Sequence, residues 1–149
     1  PARPHLSSRR PPGSAMTVDV VDLDHVALRV SDLDRALAFY HDLLGLSLRD
    51  RERYEAGDVP YVAVVAGGRN LHLVPTEEPF DVGPEHVCLL LRSAEVDSRA
   101  ELESALDDLR EAGVEVEDGE PRRRYGAYGR AWAAYVRDPD GRRVELKMH

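Results

Sequence analysis

One stretch near the end of the chain decides the fold: Asp138-Pro139-Asp140-Gly141-Arg142-Arg143-Val144-Glu145-Leu146. Its first four residues have the composition of a tight turn, and the residues that follow alternate between polar and apolar side chains. The alternation predicts a strand with Val144 and Leu146 on one face of a sheet and Glu145 on the other. A carboxylate on a strand this close to the core requires a partner, so Glu145 is a candidate functional residue.

The pattern around Glu145 occurs again earlier in the chain. Two pairs of stretches align without gaps, each pair at its own offset: Gly68–Leu73 with Gly141–Leu146, and Asp24–Val30 with Glu85–Leu91. In the first pair His72 falls where Glu145 does, and in the second His25 aligns with His86. The chain is therefore predicted to contain two copies of one unit.

Size, charge and cysteine content limit the classes of function. The chain has 149 residues and a net charge of −8, which argues against nucleic-acid phosphates and anionic membranes as partners. The single cysteine excludes an internal disulfide framework, and no apolar run approaches the ~20 residues that a membrane span requires. We expect a cytoplasmic protein that acts on a small molecule. Lys147 is the one lysine among twenty basic residues, which we attribute to coding bias.

The periodicity predicts an α+β fold in which two βαβββ modules pair into a mixed sheet or half-barrel. The expected boundaries are a flexible N-terminal extension at 1–19, a first module at 20–74, a linker at 75–84 and a second module at 85–149. In the first module we expect a strand at 22–30, a helix capped by Ser31 and ended by Gly45, and strands at Leu46–Tyr54, Pro60–Ala66 and Asn70–Val74.

The second module is expected to repeat this order. It has a predicted strand at 85–92, a helix that starts with the capping box Ser98-x-x-Glu101 and runs to Gly113, and then three more strands. The last two strands are predicted at Arg130–Arg137 and Arg142–Met148. Residues 122–129 are interpreted as a loop, either a lid over the site or a solvated segment.

The repeated polar positions suggest a metal site. If the first and last strands of each unit lie side by side in an antiparallel sheet, His25 approaches His72 and His86 approaches Glu145, away from the helices. A pseudo-twofold pairing of the units gathers three imidazoles and one carboxylate, which suits a single divalent Fe, Ni, Co, Mn or Zn ion. The alternatives are that each histidine is an ordinary hydrogen-bonded strand residue, and that His72 contacts substrate instead of metal.

Other candidates follow from strand parity. Tyr135 points to the same side as Glu145 if its neighbours in the strand pack under the helices, and Arg29 and Arg92 follow the histidine strands on the cavity side. For both arginines a solvated strand end is the alternative. Tyr128, in the possible lid, is a further candidate for substrate contact. Cys88 lies on the side of His86 and is interpreted as a buried structural cysteine.

Four motifs carry a resemblance to a known family: Leu23-Asp24-His25-Val26-Ala27-Leu28, Phe39-Tyr40-His41-Asp42-Leu43-Leu44-Gly45-Leu46, Glu85-His86-Val87, and Arg137-Asp138-Pro139-Asp140-Gly141 leading to Val144-Glu145-Leu146. The chain resembles the vicinal oxygen chelate superfamily over essentially residues 20 to 149. This superfamily groups glyoxalase I, extradiol dioxygenases, fosfomycin-resistance thiol transferases, methylmalonyl-CoA epimerase and bleomycin-resistance proteins. The motifs are specific for the superfamily and much less so for one activity.

The resemblance implies that His25, His86 and Glu145 bind the metal and that His72 occupies the fourth position, where glyoxalase I-like proteins carry Glu or Gln. It makes Glu145 and His72 the expected catalytic residues, and a tyrosine at position 135 resembles a substrate contact of thiol transferases. The implied function is a metal-dependent, homodimeric lyase or isomerase of the glyoxalase I-like type that stabilises an enolate or oxyanion. An extradiol-type dioxygenase, a thiol transferase and a metal-free, bleomycin-resistance-like drug-binding protein are the alternatives.

Overall fold

The structure, a computed structural model, describes residues 18–93, 98–117 and 119–149. The expected N-terminal extension therefore lies almost entirely outside the described residues. Within the described part, every helix is too short or too polar to cross a membrane.

The described chain has two halves, each with one four-stranded sheet. The first half contains β1 (His25–Val30), α1 (Leu33–Leu37) with a π-helical continuation (Ala38–Leu43), β2 (Ser47–Arg49), α2 (Arg51–Glu55), β3 (Val62–Ala66) and β4 (Arg69–Pro75). The second half contains β5 (His86–Leu91), α3 (Ser98–Glu111), β6 (Arg122–Gly126), β7 (Gly129–Arg137) and β8 (Arg143–Met148). The fold is α+β, as predicted.

The two sheets have the same topology. Their strand orders are β1-β4-β3-β2 and β5-β8-β7-β6, and neither sheet closes into a barrel within the described residues. The pairs β1/β4 and β5/β8 are parallel, so the antiparallel pairing assumed from the sequence is wrong. The reason is that the helical crossover returns the chain to the end where β1 began, so β2 runs in the direction of β1. Two antiparallel reversals then give β4 that same direction.

The first helix begins one residue later than predicted. Asp32 is its N-cap, with a carboxylate that accepts a hydrogen bond from the Arg35 amide at 3.0 Å. Ser31 instead donates its amide hydrogen to the carboxylate of Asp140 in the second half, at 3.2 Å. The helix ends before Gly45, whose φ of +76° suits glycine.

Two further predictions of secondary structure are wrong. The strand expected at Leu46–Tyr54 is cut to Ser47–Arg49, because Asp50 has a left-handed φ of +64° and starts the short helix α2. The loop expected at 122–129 is a hairpin, since β6 pairs antiparallel with β7. The residues just before Ser98 lie outside the described part, so the predicted capping box there stays a prediction.

A single apolar core lies between the sheets and the helices and contains side chains from both halves. Its fully or nearly fully buried members are Val30, Tyr40, Val62, Val64, Leu73, Leu102, Leu106, Val136, Val144 and Leu146. Burying these side chains is the main favourable contribution to folding. The shared core means that the two halves are packed as one body.

The turn that decides the fold is also a buried polar link between the halves. The Asp138 carboxylate accepts hydrogen bonds from the Tyr40 hydroxyl at 2.7 Å and from the Arg142 guanidinium at 2.8 Å. Arg142 also donates to the backbone carbonyl of Arg29, at 2.6 Å. Asp138 and Arg142 are 5% and 7% exposed. We call these four residues the inter-half link; it joins β1 directly to the turn before β8.

Candidate functional site

The second-half pair, which we define as His86 and Glu145, lies on adjacent parallel strands. His86 begins β5, and Glu145 is at the centre of β8, in register with Cys88. The His86 Nε2 and Glu145 Oε1 atoms are 3.2 Å apart. Glu145 is 6% exposed although it lies on the face away from the helices, so the predicted proximity of this pair is confirmed.

Glu145 also accepts hydrogen bonds from two other side chains. The Tyr135 hydroxyl and the Cys88 thiol both donate to its carboxylate. Burial, and then the hydrogen bond and negative charge of Glu145, raise the pKa of Tyr135. Burial of the thiol, followed by the charge of Glu145, raises the pKa of Cys88 to about 11. Both groups are therefore protonated donors at neutral pH, and they hold the carboxylate in a fixed orientation.

Tyr135 is oriented as strand parity predicted. It is in register with Glu145, while Val136 is buried in the core and Trp132 packs against it. The His86 ring meets the Tyr135 ring edge-on, with centroids 5.3 Å apart. The interpretation of Cys88 as a buried residue is wrong, because Cys88 is exposed as a whole residue even though its thiol contacts Glu145.

The first-half pair, which we define as His25 and His72, is a stack of aromatic rings. The His25 and His72 ring centroids are 4.0 Å apart and the planes differ by 12°. His72 also stacks on Tyr61, with ring centroids 3.8 Å apart and ring planes that differ by 7°. Burial, with the neighbouring His25, lowers the pKa of His72, which therefore favours its neutral form.

Tyr61 is a residue that the sequence analysis missed. It lies two residues before Ala63, which is in register with His72. Tyr61 and Ala63 alternate with the fully buried Val62 and Val64, so the period of two does place Tyr61 on the face of His72. The alternation was visible in the sequence, but the register between β3 and β4 is needed to predict that Tyr61 lies next to His72.

The His25 ring is oriented by a carboxylate. Its Nδ1 lies 2.6 Å from the carboxylate of Asp24. Because a carboxylate only accepts, Nδ1 carries the hydrogen and the lone pair is on Nε2, as is usual for ligating histidines.

The stack of His72 on His25 limits whether both rings can bind the same ion. A ring nitrogen's lone pair lies in the ring plane, so two nearly parallel rings 4.0 Å apart cannot both direct lone pairs at one ion.

The second-half pair fits the spacing of two ligands of one ion. Ligand atoms at adjacent positions, each about 2.1 Å from a metal, are about 3 Å apart. The 3.2 Å between His86 Nε2 and Glu145 Oε1 is close to that separation. An imidazole nitrogen and a carboxylate oxygen also match the ligand preferences of Fe, Ni, Co, Mn and Zn.

The two pairs do not meet within one chain. Across residues 18–93, 98–117 and 119–149, no group of three or more His, Cys, Asp or Glu side chains is arranged to hold one ion. The first-half pair and the second-half pair are thus two separate two-residue groups. The common centre expected from pairing of the two units is absent from the described part of the single chain.

The remaining predicted substrate residues are dispersed. The Arg29 guanidinium lies over the Phe80 ring at 4.9 Å, and Arg92 is an exposed residue just after β5. Tyr128 is 73% exposed in the β6–β7 turn and contacts the His149 ring edge-on. A cavity of about 670 Å³ lies between the halves. It is lined by residues of both halves, among them Leu23, Val26, Leu71, His86, Leu90 and Tyr128.

Comparisons with known proteins agree with this architecture. A family model of the Glyoxalase/Bleomycin resistance protein/Dioxygenase superfamily matches residues 22–146. A Synechocystis sp. protein named "Probable lactoylglutathione lyase" is 30% identical over 133 residues, 82% of this chain and 91% of the relative. The virulence protein STM3117 of Salmonella typhimurium is 25% identical over 134 residues, 85% of this chain and 83% of the relative.

A solved structure has the same fold. The crystal structure of a glyoxalase/dioxygenase from Nostoc punctiforme superposes with a TM-score of 0.66 at 22% identity. The match covers 91% of this chain and 98% of the other. This likeness concerns the fold.

Proposed function

Since the chain belongs to the Glyoxalase/Bleomycin resistance protein/Dioxygenase superfamily, we propose that it is a metal-dependent enzyme of the glyoxalase I-like type, a lyase or isomerase acting on a small oxygen-chelating substrate. The observation that carries the proposal is the second-half pair. Its imidazole nitrogen and carboxylate oxygen have the spacing of adjacent metal ligands and are held by Tyr135 and Cys88. The name of the Synechocystis relative supports the choice of a lyase.

The proposed ligands are His25, His86 and Glu145, with His72 beside them. A bound divalent ion would polarise substrate oxygens and stabilise the negative charge that develops on them. His72 is neutral because burial and His25 lower its pKa, so its imidazole can accept a proton from a carbon next to a carbonyl group. The Tyr135 hydroxyl keeps the Glu145 carboxylate in place and remains protonated, so it can also donate to a substrate oxygen.

The proposed centre requires a second copy of the chain. Within the described residues each half of one chain supplies only two candidate ligands, and the two pairs are separate. Large apolar side chains are exposed along the cavity beside the second-half pair; Leu23 and Leu90 are each 55% exposed and Tyr128 is 73% exposed. Exposed apolar surface of this kind is typical of protein interfaces. A homodimer that joins His25 of one copy to His86 and Glu145 of its partner satisfies both observations.

An extradiol-type dioxygenase is the second candidate. The observation that favours it is the stack of His25 on His72, which prevents both rings from binding the same ion. The remaining ligand set is His25, His86 and Glu145, two histidines and one carboxylate. Two histidines and a carboxylate on one face are the arrangement of Fe(II) oxygenases. In that case the stacked rings of Tyr61 and His72 would contact the planar ring of the substrate.

Elemental analysis of protein purified without chelator or immobilised metal tests the proposal. We expect about one divalent ion per chain in the wild type, and its loss in His25→Ala and Glu145→Gln. The control is Glu52→Gln, which removes an exposed carboxylate on α2. Lyase or isomerase turnover of dicarbonyl substrates supports the first candidate, whereas oxygen consumption with a catechol supports the second. Absence of metal after incubation with all five ions would contradict both.

A further inference from the structure

A group of cations lies on the face of the second sheet that carries Glu145. On that face the strand β6 contributes Arg122 and Arg124, and β8 contributes Glu145 and Lys147. The strand β7 lies between them and presents Ala131 and Ala133, which are in register with Arg124 and Lys147 respectively. Both alanines are buried, and their small side chains leave room on this face for the longer side chains of β6 and β8.

Arg124 is anchored beside Glu145 but has no carboxylate of its own. Its guanidinium lies over the Tyr135 ring, 5.0 Å from the centroid, and Tyr135 donates to Glu145. Arg143 lies over the same ring at 3.8 Å. The two differ in charge balance: Arg143 ion-pairs with Glu117 at 2.7 and 2.9 Å, whereas no carboxylate of the described residues pairs with Arg124.

The carboxylate of Glu117 cannot neutralise this group of arginines. It forms ion pairs with both Arg137 and Arg143, and it feels the charge of Arg124 only as a further, weaker contribution. One negative charge therefore faces three guanidinium groups. The surplus is notable in a chain whose net charge is −8.

Lys147 adds a buried positive charge at the same place. It is the one lysine of the chain and is 3% exposed. Its Nζ donates to the backbone carbonyl of Arg124, and no described carboxylate pairs with it. A buried ammonium group normally requires a charged partner, and a single neutral carbonyl does not compensate its charge.

Gly126 leaves room for the lysine. A Cβ at position 126 would lie 3.0 Å from Lys147 Nζ and 3.1 Å from its Cε. Because of this glycine the lysine side chain can extend across β7 and reach β6. The side chain thus fixes the backbone of Arg124 while Tyr135 supports the guanidinium.

We infer that Arg124, positioned by Tyr135 and Lys147, binds an anionic group of the substrate, a carboxylate or a phosphate, next to Glu145. The Arg124 guanidinium lies 5.0 Å from the centre of the Tyr135 ring, whose hydroxyl donates to Glu145, so the anion would lie one tyrosine ring away from that carboxylate. Arg29, which the sequence also suggested as an anion anchor, is supported by the Phe80 ring and by Arg142, but it lies on β1 in the first sheet and not on the sheet of Glu145. Arg92, the other suggested anchor, is an exposed residue just after β5. The inference rests on the proposed function because it assigns the substrate class of the same site.

The single lysine makes a direct binding test possible. Protein labelled with ¹³C at lysine Cε gives one lysine signal, from Lys147, which can be titrated with sodium acetate or inorganic phosphate at constant ionic strength. We expect a saturable shift, and the anion that saturates at the lower concentration identifies the class. Neither metal nor turnover is needed, so the result is independent of whether the proposed metal chemistry is correct.

A matched pair of variants locates the anion. Arg124→Gln should weaken binding by about tenfold or more, because a charge-assisted, two-pronged contact is lost. Arg123→Gln is the control: Arg123 lies on the other face of the same strand, over Trp132 at 6.0 Å, and should bind as the wild type does. Absence of a saturable shift in the wild type would overturn the inference, as would equal binding by the two variants. Equal thermal midpoints of the two variants exclude unfolding as the cause.

Discussion

At the scale of single residues, Glu145 organises the second-half pair through three contacts. His86, Tyr135 and Cys88 all direct a polar atom at its carboxylate. A nearly buried carboxylate is stable only with such partners. The strand pattern alone predicted that Glu145 needs a partner and that His86 is near it. The contribution of Cys88 was not predictable, because an exposed residue can still bury its thiol against one neighbour.

His72 is the residue whose role a variant can separate most clearly. We expect His72→Phe to keep about the wild-type metal content, because a phenyl ring preserves the stack with Tyr61 and His25 but has no ligand atom. Turnover should fall strongly if the His72 imidazole accepts the proton, by about 10² or more. Metal content is measured by elemental analysis and affinity by calorimetry. Loss of metal as complete as in His25→Ala would instead make His72 a ligand.

At the scale of secondary-structure elements, the sequence predicted the order of the strands better than their directions. Alternation in β1 and β8 correctly assigned the faces of His25 and Glu145, because residue parity does not depend on whether a neighbouring strand is parallel. The pairing direction depends on the helical crossover, which local pattern does not specify. The strand β6 was missed because Arg122–Tyr125 lack an apolar face, and pairing with β7 decides their conformation.

Glu117 connects the segment before β6 to the strands β7 and β8. Its amide donates to the Tyr135 carbonyl at 2.9 Å, and its carboxylate pairs with Arg137 and Arg143. The hydrogen bond from Arg143, with the charges of both arginines, lowers the pKa of Glu117 below its ordinary value of 4.5. A lowered pKa in the folded state stabilises the protein above the unfolded-state pKa. That stabilisation disappears as the pH falls through the lower, folded-state value.

Glu117→Gln should therefore be less stable than the wild type at neutral pH, by about 1 kcal/mol for a partly exposed pair. The difference should shrink as the pH falls below 4.5, because the wild-type carboxylate becomes protonated. Urea unfolding at several pH values measures this difference in the free energy of unfolding. Glu111→Gln, at the exposed end of α3, is the control and should follow the wild type throughout. A difference that does not change with pH would show that the ion pairs contribute nothing.

At the scale of the whole molecule, the inter-half link sets the position of β1 relative to β8. The sequence singled out its turn, but the partners Tyr40 and Arg29 come from the other half and could not be inferred from the turn itself. We expect Arg142→Met to destabilise the protein by about 3–5 kcal/mol, because Asp138 remains buried with its charge uncompensated. Arg130→Met, at an exposed position near the start of β7, should cost little by comparison. Urea unfolding distinguishes the two, and equal midpoints would mean that the link is dispensable.

The proposed homodimer shares each metal centre between two chains, and this sharing can be tested by mixing inactive variants. His25→Ala lacks the ligand of the first half, and Glu145→Gln lacks a ligand of the second half. If each centre combines His25 of one chain with Glu145 of its partner, a mixed dimer has one intact centre and one centre with both defects. Random exchange makes about half of the dimers mixed, so roughly a quarter of the wild-type metal content should return. A centre built within a single chain recovers none on mixing, because every chain then carries a defective centre. Elemental analysis after refolding the two variants together, with each refolded alone as the control, decides between these arrangements.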